Sequence, residues 1–335
     1  MWAALLMNGL ITVVLTLLLY TSGFFVIFTP LPLAYLFVKR GKVVAGVVAV
    51  LTFLALVLLY QVPFKLTMMP MTAFEPALEA KQVTVLGSIY LFYFLWIGFN
   101  LGVTSRQKWD VEKTFLYLVA AAILVPGLVM ILAFQNAGWS FLEEMRLSFS
   151  TVVDRMVSVQ KDAGMSGEEV YFLQKYKDDI VKDAINLMPS LWVGFLIVAL
   201  SVNISFLRRL CLQERLLGLI FPAWVEFPFW RLKEGLVWAP IAVAALYFGN
   251  IYLFQKDIIE VVCLNALIVF AVIYFLQGLA ITSFFLRVKL GPNSMLRLAL
   301  YFLIFLFIQF FGVIILALGI FDFWFDFRKL KKQKQ

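Results

Sequence analysis

The chain has 335 residues, of which 63% are hydrophobic and 14% charged, and its formal net charge is +8. Soluble domains are nearer to half apolar and a quarter charged, so a mean hydropathy of +0.96 indicates a polytopic membrane protein. The chain has no histidine, which excludes the usual general base, a Ser–His or Cys–His pair and every histidine metal site. We interpret the excess of Lys and Arg as setting orientation and contacting anionic lipid headgroups, and not as binding nucleic acid.

Residues 1–134 are predicted to hold the first five transmembrane helices. A helix needs about twenty apolar residues to cross the hydrocarbon core, and such runs lie at residues 2–20, 43–60, 83–103 and 114–134. The remaining run, residues 24–38, is shorter and carries two prolines, which break or kink a helix. A break of this kind marks the binding site in many transporters, but a plain loop between two short helices would give the same pattern, and both interpretations stay open.

Residues 135–185 form one long polar segment, which we interpret as a pair of amphipathic helices. Apolar residues recur at helical spacing from Phe141 to Met156. The stretch Ser166-Gly167-Glu168-Glu169 fits a capping box that would begin the second helix. Because the segment contains nine acidic residues, we expect the pair to lie on the membrane surface or to cap the bundle.

The remainder of the chain is predicted to add three or four more spans. Residues 186–207 are the sixth transmembrane helix, and residues 208–235 are an interfacial segment, since tryptophan at this density favours the headgroup level. Residues 236–321 are the C-terminal transmembrane helices, with runs at 236–254, 258–286 and 298–321, and residues 322–335 are an aromatic-acidic and basic tail. The sequence therefore predicts an all-α transmembrane helix bundle of eight or nine spans, with an amphipathic helical hairpin inserted between spans five and six.

Amide side chains inside the apolar runs are the candidate substrate-binding residues. Burying an amide without a hydrogen-bond partner is costly, so these side chains should face the bundle interior. They could join helices by hydrogen bonds or line a substrate cavity, and the sequence leaves both roles open. The candidates are Asn100, Asn203, Asn250, Asn265 and Gln277.

Three acids lie at predicted membrane edges: Glu260, Asp322 and Asp326. Acids inside a membrane are functional candidates, although Glu260 can reach the interface and pair with Lys256. Asp322 and Asp326 share a helix face and lie at the helix C-terminus, where they repel each other and oppose the helix dipole. We expect both acids to have partners elsewhere in the bundle or in the basic loops. We interpret Asp326 as the residue that ends the helix and Asp322 as the acid worth mutating. A belt of interfacial aromatics with snorkelling charges is the alternative.

Small residues predict two closely packed helix faces. Gly98 and Gly102 form a GxxxG pattern, and Gly41, Ala45 and Ala49 recur every four residues. Both patterns permit close approach of two backbones, without saying whether the partner lies in this chain.

The motifs of common enzymes are missing from the sequence. It contains no phosphate-binding loop, no nucleophile elbow and no zinc-protease motif. Cys211 and Cys263 match no redox or zinc spacing, and we interpret both as buried small apolar residues. We therefore expect a protein that is not an enzyme and that uses no cofactor and no metal.

Three stretches carry a family resemblance: PLPLAYLFVKRGKVVAGVVAVLTFL from Pro30, QGLAI from Gln277 and GIFDFWFDFRKL from Gly319. They resemble the YybS-like family of bacterial membrane proteins. That family is similar in turn to the substrate-binding S components of energy-coupling factor transporters, in which a six-helix bundle binds a vitamin or metal and separate subunits drive its release. The resemblance implies a multi-pass protein of the bacterial cytoplasmic membrane, with ATPase or coupling subunits, not encoded here, as possible partners.

The sequence as a whole predicts a non-enzymatic, transporter-like protein that binds a small solute within the helix bundle. The alternative is a membrane scaffold or regulatory protein that acts through protein partners. The amphipathic pair at 135–185 and the aromatic segment at 208–235 favour that alternative. In either case we expect membrane lipid as a partner and no nucleic acid.

Overall fold

The computed structural model describes residues 2–61, 80–137, 140–162, 167–214, 220–221, 224, 226–291 and 294–329. In these residues the chain forms twelve α-helices and no strand, which confirms the predicted all-α class. The chain divides into two compact units. The first is Met1–Ile185 with Ala199–Ala223, and the second is Asn186–Val198 with Trp224–Gln335.

The first unit contains seven complete helices. They are α1 Trp2–Thr21, α2 Pro30–Arg40, α3 Lys42–Gln61, α4 Ala80–Ser105, α5 Val111–Ala137, α6 Phe141–Asp162 and α7 Gly167–Lys175. An eighth helix, α8, covers Lys177–Gln213. Both of its ends belong to the first unit, and its middle, Asn186–Val198, belongs to the second.

The second unit continues after α8 with short 3-10 turns at Phe227–Phe229 and Glu234–Val237. Its helices are α9 Trp238–Gly249, which runs into a π-helical turn at Asn250–Phe254, then α10 Asp257–Leu290, α11 Ser294–Leu306 and α12 Ile308–Phe325.

Several helices are long and apolar enough to cross a membrane, which confirms a polytopic bundle. Length and composition select seven among the described residues, where the sequence predicted eight or nine spans. Two further helices, Met7–Thr21 and Met295–Leu306, are apolar but shorter than this length. The seven are Lys42–Leu59, Gly87–Ser105, Val111–Ala133, Lys177–Gln213, Glu234–Phe254, Asp257–Leu290 and Ile308–Phe325.

The proline-bearing segment at 24–38 was wrongly predicted as a span. It forms a 3-10 turn at Val26–Phe28 and then α2, an 11-residue helix, which at about 1.5 Å per residue is too short to cross. Pro30 and Pro32 occupy the first turn of α2, where a missing N–H leaves no hydrogen bond unmade. Gly41 ends α2 with a φ of 90°, a conformation that a residue with a Cβ rarely adopts.

Two further boundaries differ from the prediction. The run at 298–321 is two helices, because α11 ends at Leu306 and α12 begins at Ile308, with neither proline nor glycine at Phe307 between them. The sixth span begins nine residues before residue 186, since α8 starts at Lys177 and takes in the end of the amphipathic segment. The remainder of that segment forms α6 and α7, and the capping residue Ser166 lies outside the described residues.

In the first unit, the predicted GxxxG face binds a helix of the same chain. A Cβ added to Gly98 would lie 2.6 Å from the Pro30 carbonyl oxygen, and one added to Gly102 would lie 2.4 Å from the Phe37 ring. The close packing predicted for this face is confirmed, and its partner is α2. Thus α4 holds α2, which is buried along most of its length.

In the second unit, two glycines bring α10 and α12 into backbone contact. A Cβ on Gly278 would lie 1.8 Å from the Ile315 carbonyl oxygen, and a Cβ on Gly319 would lie 1.9 Å from that of Tyr274. Gly278 belongs to the QGLAI stretch and Gly319 begins the GIFDFWFDFRKL stretch. The two stretches that carry the family resemblance in this half of the chain therefore face each other.

We predict that Gly319→Ala destabilises the second unit, because the new methyl group has no room beside the Tyr274 carbonyl. The expected loss is about 1–3 kcal/mol, as for other overpacked sites. Gly312→Ala is the matched control, since it lies on the same helix with no atom within 4 Å of its added Cβ. Thermal unfolding in detergent would compare the two variants, and equal melting temperatures would contradict the close contact.

Candidate functional site

A buried ionic cluster joins the end of α12 to the segment that precedes α9. Asp322 is fully buried, and its Oδ2 accepts hydrogen bonds from Arg328 Nη2 at 2.9 Å and Gln277 Nε2 at 3.2 Å. Its Oδ1 accepts from the Phe327 N–H at 3.2 Å. Arg231 Nε lies 3.8 Å from Oδ2. The partners predicted for Asp322 are therefore a basic residue of the tail, one of the 208–235 segment and an amide of α10.

The two arginines of this cluster also bind backbone carbonyls. Arg328 Nη1 donates to the oxygens of Pro228 at 2.9 Å and Trp230 at 2.8 Å. Arg231 Nη2 donates to the Asp322 carbonyl at 3.0 Å, and its Nη1 lies 3.3 Å from Asp326 Oδ1. Two cations face two carboxylates, so the cluster is neutral overall. It fixes the segment before α9 against the last turn of α12.

The other two acids have simpler surroundings. Asp326 terminates α12 with a φ of 42°, and its N–H donates to the Asp322 carbonyl. Glu260 is an exposed residue in the first turn of α10, where a carboxylate complements the helix dipole.

Two of the five candidate amides repair interruptions in helices of the second unit. Pro189 lies inside α8, and Asn265 bridges the gap that follows: its Nδ2 donates to the Asn186 carbonyl at 2.8 Å and its Oδ1 accepts from the Ser190 N–H at 2.9 Å. The side chain thus replaces the backbone bond that would join residues 190 and 186 in a regular helix. Asn250 does the same for the turn before α10, because it binds both the N–H and the carbonyl of Lys256.

Two more amides have a partner at both the nitrogen and the oxygen of the side chain. Gln277 donates to Asp322 and accepts from the Leu232 N–H at 3.3 Å. In the first unit, Asn100 donates to the Trp96 carbonyl and accepts from the Tyr117 hydroxyl at 2.8 Å. Asn100 and Asn203 belong to the first unit, and the other three amides belong to the second. Among the described residues no hydrogen bond joins two amides of the same unit, and each amide binds its own set of partners.

Asn203 differs from the other four amides. Its Nδ2 donates to the carbonyls of Ile27 and Ala199, both at 2.8 Å, while its buried Oδ1 has no partner in the described part of the chain. Ile27 lies in the 3-10 turn before α2, so Asn203 binds the interruption itself.

Two threonines that the sequence did not single out share this property. Thr29, directly before Pro30, is fully buried, and its Oγ1 has no hydrogen-bond partner among the described residues. The same holds for Thr16 of α1, a helix that packs against the 3-10 turn and α2. The one sequence signal for Thr29 is its place next to a proline in an apolar run. We call Thr16, Thr29 and Asn203 the interruption cluster, because Thr29 directly follows the 3-10 turn and the helices of the other two residues contact that turn.

The opposite end of α2 is fixed by ionic contacts. Arg106 Nη2 donates to the Val38 carbonyl at 2.8 Å, and Lys39 Nζ lies 2.8 Å from Glu214 Oε2. The hydrogen bond from Lys39 lowers the pKa of Glu214, and the same contact raises the pKa of Lys39. Thus α2 is anchored at its C-terminal end, while unpaired polar atoms lie at its start.

A chain of several apolar helices, long enough to cross a bilayer and joined by buried polar contacts, defines a polytopic membrane protein. Residues 82–323 match the family described as predicted membrane protein (DUF2232), and the chain belongs to that family. The matched residues extend into α12 and include Asn203, Gln277 and Asp322. No curated protein and no solved structure matches the chain. The resemblance to the YybS-like family and to S components stays a prediction.

We predict that Asp322→Asn is strongly destabilising, because it leaves the buried Arg328 without its carboxylate. Removing one partner of a buried ion pair costs about 3–5 kcal/mol. Asp326→Asn is the matched control, with a smaller expected loss, because that carboxylate is 17% exposed and its partner Arg231 also binds two backbone carbonyls. Thermal unfolding in detergent measures both. Equal losses would mean that Asp322 is not the centre of the cluster.

Proposed function

We propose that this protein is a non-enzymatic, transporter-like protein of the bacterial cytoplasmic membrane that binds a small solute at the interruption before α2. The observation that supports this is the interruption cluster, in which three buried side-chain oxygens lack a hydrogen-bond partner among the described residues. Interrupted helices form the binding sites of many transporters, because their free backbone groups and the side chains around them can face a substrate.

The geometry at Asn203 supports an acceptor role. The amide N–H₂ group is committed to two backbone carbonyls, one of them in the interrupted segment. Its Oδ1 therefore remains as an acceptor, next to the turn that ends in the Thr29 hydroxyl. A buried polar group without a partner costs about 1–3 kcal/mol, and a solute that donates hydrogen bonds would offset that cost.

The residue types indicate the chemical class of the solute. The interruption cluster offers amide and hydroxyl oxygens and contains no charged side chain. It suits a small solute that carries N–H or O–H donors and is neutral or singly positive. A vitamin-like heterocycle or an amine meets this description, and a phosphate ester does not.

Binding requires the interrupted segment to move. The three oxygens are enclosed by protein atoms, so a solute can reach them only after these elements separate. Because α2 is anchored at Lys39 and Val38, the movement falls on the segment before it. That segment begins at Gly23, whose φ is 69°, and carries the exposed Phe24 and Phe25. By the same proposal, the energy for release comes from separate ATPase or coupling subunits.

We predict that Asn203→Cys reacts with a membrane-impermeant methanethiosulfonate reagent from one side of the membrane. The two buried native cysteines, Cys211 and Cys263, are first replaced by alanine. Phe195→Cys is the matched control on the same helix, since its side chain is exposed on the apolar surface and a thiol in hydrocarbon does not ionise. Labelling of Asn203→Cys in sealed vesicles, with none at Phe195→Cys, is expected. No labelling from either side would leave the cluster as ordinary helix packing.

We also predict that a screen of small polar solutes finds one that raises the melting temperature of the wild-type protein. A ligand at a hundred times its Kd adds about 2.7 kcal/mol of stability. The shift should be lost in Asn203→Leu and kept in Asn265→Leu, which removes a fully bonded amide of the second unit. A shift that survives in Asn203→Leu would place the solute elsewhere.

The alternative function, a membrane scaffold or regulatory protein, is favoured by the surface of α6 and α7. Val153 and Val157 of α6 are buried, but Leu142, Leu147, Val159 and Phe172 are exposed on these otherwise polar helices. Such a surface suits the interface plane of a membrane or an apolar partner. Isolation of the protein from native membranes separates the two functions: ATPase or coupling subunits support transport, while envelope or signalling proteins support a scaffold.

A further inference from the structure

We propose that the second unit binds one acyl chain of a membrane phospholipid in an apolar groove formed by α9, α10 and α12. The groove holds about 280 Å³. Its walls include Pro240 and Ala244 of α9, Phe270 and Ala271 of α10, and Leu316 and Trp324 of α12. This site is independent of the interruption cluster, which belongs to the first unit.

The lining determines what can fill the groove. Its walls carry no charged side chain, and the small Ala244 and Ala271 leave the space between larger neighbours. Water does not occupy an apolar space of this kind, because it finds no hydrogen-bond partners there. An empty groove would forfeit the dispersion contacts of every atom that lines it. In a bilayer, the apolar group available to fill the groove is the acyl chain of a lipid.

One end of the groove lies at the expected headgroup level. The span that contains α9 begins at Glu234, and Val237 lines the groove three residues later. Trp238 and Trp324 are more than half exposed at this end, and tryptophan favours the headgroup region. From Val237 to Ala244 the groove follows two turns of helix, about 10 Å at 1.5 Å per residue. An acyl chain entering beside the two tryptophans would therefore run toward the bilayer centre.

A basic side chain at the same end complements a lipid phosphate, next to backbone that the ionic cluster holds in place. Arg231 Nη2 donates to the carbonyls of Asp322 and Phe323, the two residues directly before Trp324. Lys329 is exposed and hydrogen-bonded through its backbone to Asp326, the acid beside Arg231. Arg231 is already paired with Asp322 and Asp326 in the neutral ionic cluster. Lys329 is therefore the basic side chain named here that can meet the headgroup of the bound lipid, while the apolar groove receives its tail.

The test uses a phosphatidylglycerol with a photoactivatable diazirine midway along one acyl chain, in nanodiscs that contain the full-length protein. Ala244→Trp fills the groove, whereas Ala245→Trp, the next residue, is exposed and does not line it. We expect labelling of α9 and α10 to fall about tenfold in Ala244→Trp, a loss of roughly 1.4 kcal/mol of binding, and to be unchanged in Ala245→Trp. Equal labelling of both variants would mean annular lipid only and would overturn the proposal.

A second variant separates loss of the site from loss of the fold. Ala271→Leu narrows the groove from the opposite wall, so it should reduce the labelling as well while the melting temperature stays near that of the wild type. Wild-type labelling in a stably folded Ala271→Leu would overturn the proposal. The proposal would also be overturned if Ala244→Trp dissociated an oligomer and left the lipid labelling unchanged. The groove would then be occupied by a second copy of this chain.

Discussion

A bilayer offers no water to backbone groups, so every carbonyl or N–H released by an interrupted helix must find a partner inside the protein. Most of the buried polar side chains described above meet this requirement. Asn203 binds the turn before α2, Asn265 bridges the gap after Pro189, and Asn250 closes the turn before α10. Arg231 and Arg328 bind the carbonyls at the end of α12 and in the segment before α9. An amide side chain can bind a free N–H and a free carbonyl at once, because it both accepts and donates hydrogen bonds.

Close backbone packing is the second constraint, and it explains two of the three stretches that carry the family resemblance. Gly278 and Gly319 let α10 and α12 touch, and that approach brings Gln277 within hydrogen-bond distance of Asp322. Lipid tails are as apolar as the helix surfaces, so the hydrophobic effect does not drive two helices together inside a bilayer. Van der Waals packing at close contacts of this kind stabilises their association instead. The ionic cluster therefore depends on the two glycines, because they set the distance between α10 and α12 at which Gln277 reaches Asp322.

The sequence was sufficient for the fold class, the amphipathic helices and the GxxxG packing face, because hydrophobic runs and GxxxG spacing are local patterns. The second predicted face was not confirmed at Gly41, which ends α2 and has no atom within 4 Å of an added Cβ. The sequence also indicated that Asp322 needs a partner, since two acids at a helix end break local rules. It could not name Arg231 or Gln277, which lie 91 and 45 residues away. The break at Phe307 carries no proline or glycine signal, and the proline in α8 does not end its helix, because a side chain distant in sequence repairs it. Long-range hydrogen bonds of this type follow from the tertiary fold alone.

The start of α2 differs from an ordinary helix N-terminus in the donors it offers. A helix N-terminus ordinarily attracts anions, because its first N–H groups point outward and the dipole is positive there. Of the first three residues of α2, two are prolines, so only Leu31 has an N–H to offer. The two prolines remove two of these N–H donors, and the nearby Thr29 and Asn203 side chains add acceptor oxygens. This end of the helix therefore offers a carboxylate or a phosphate fewer donors than an ordinary helix N-terminus does.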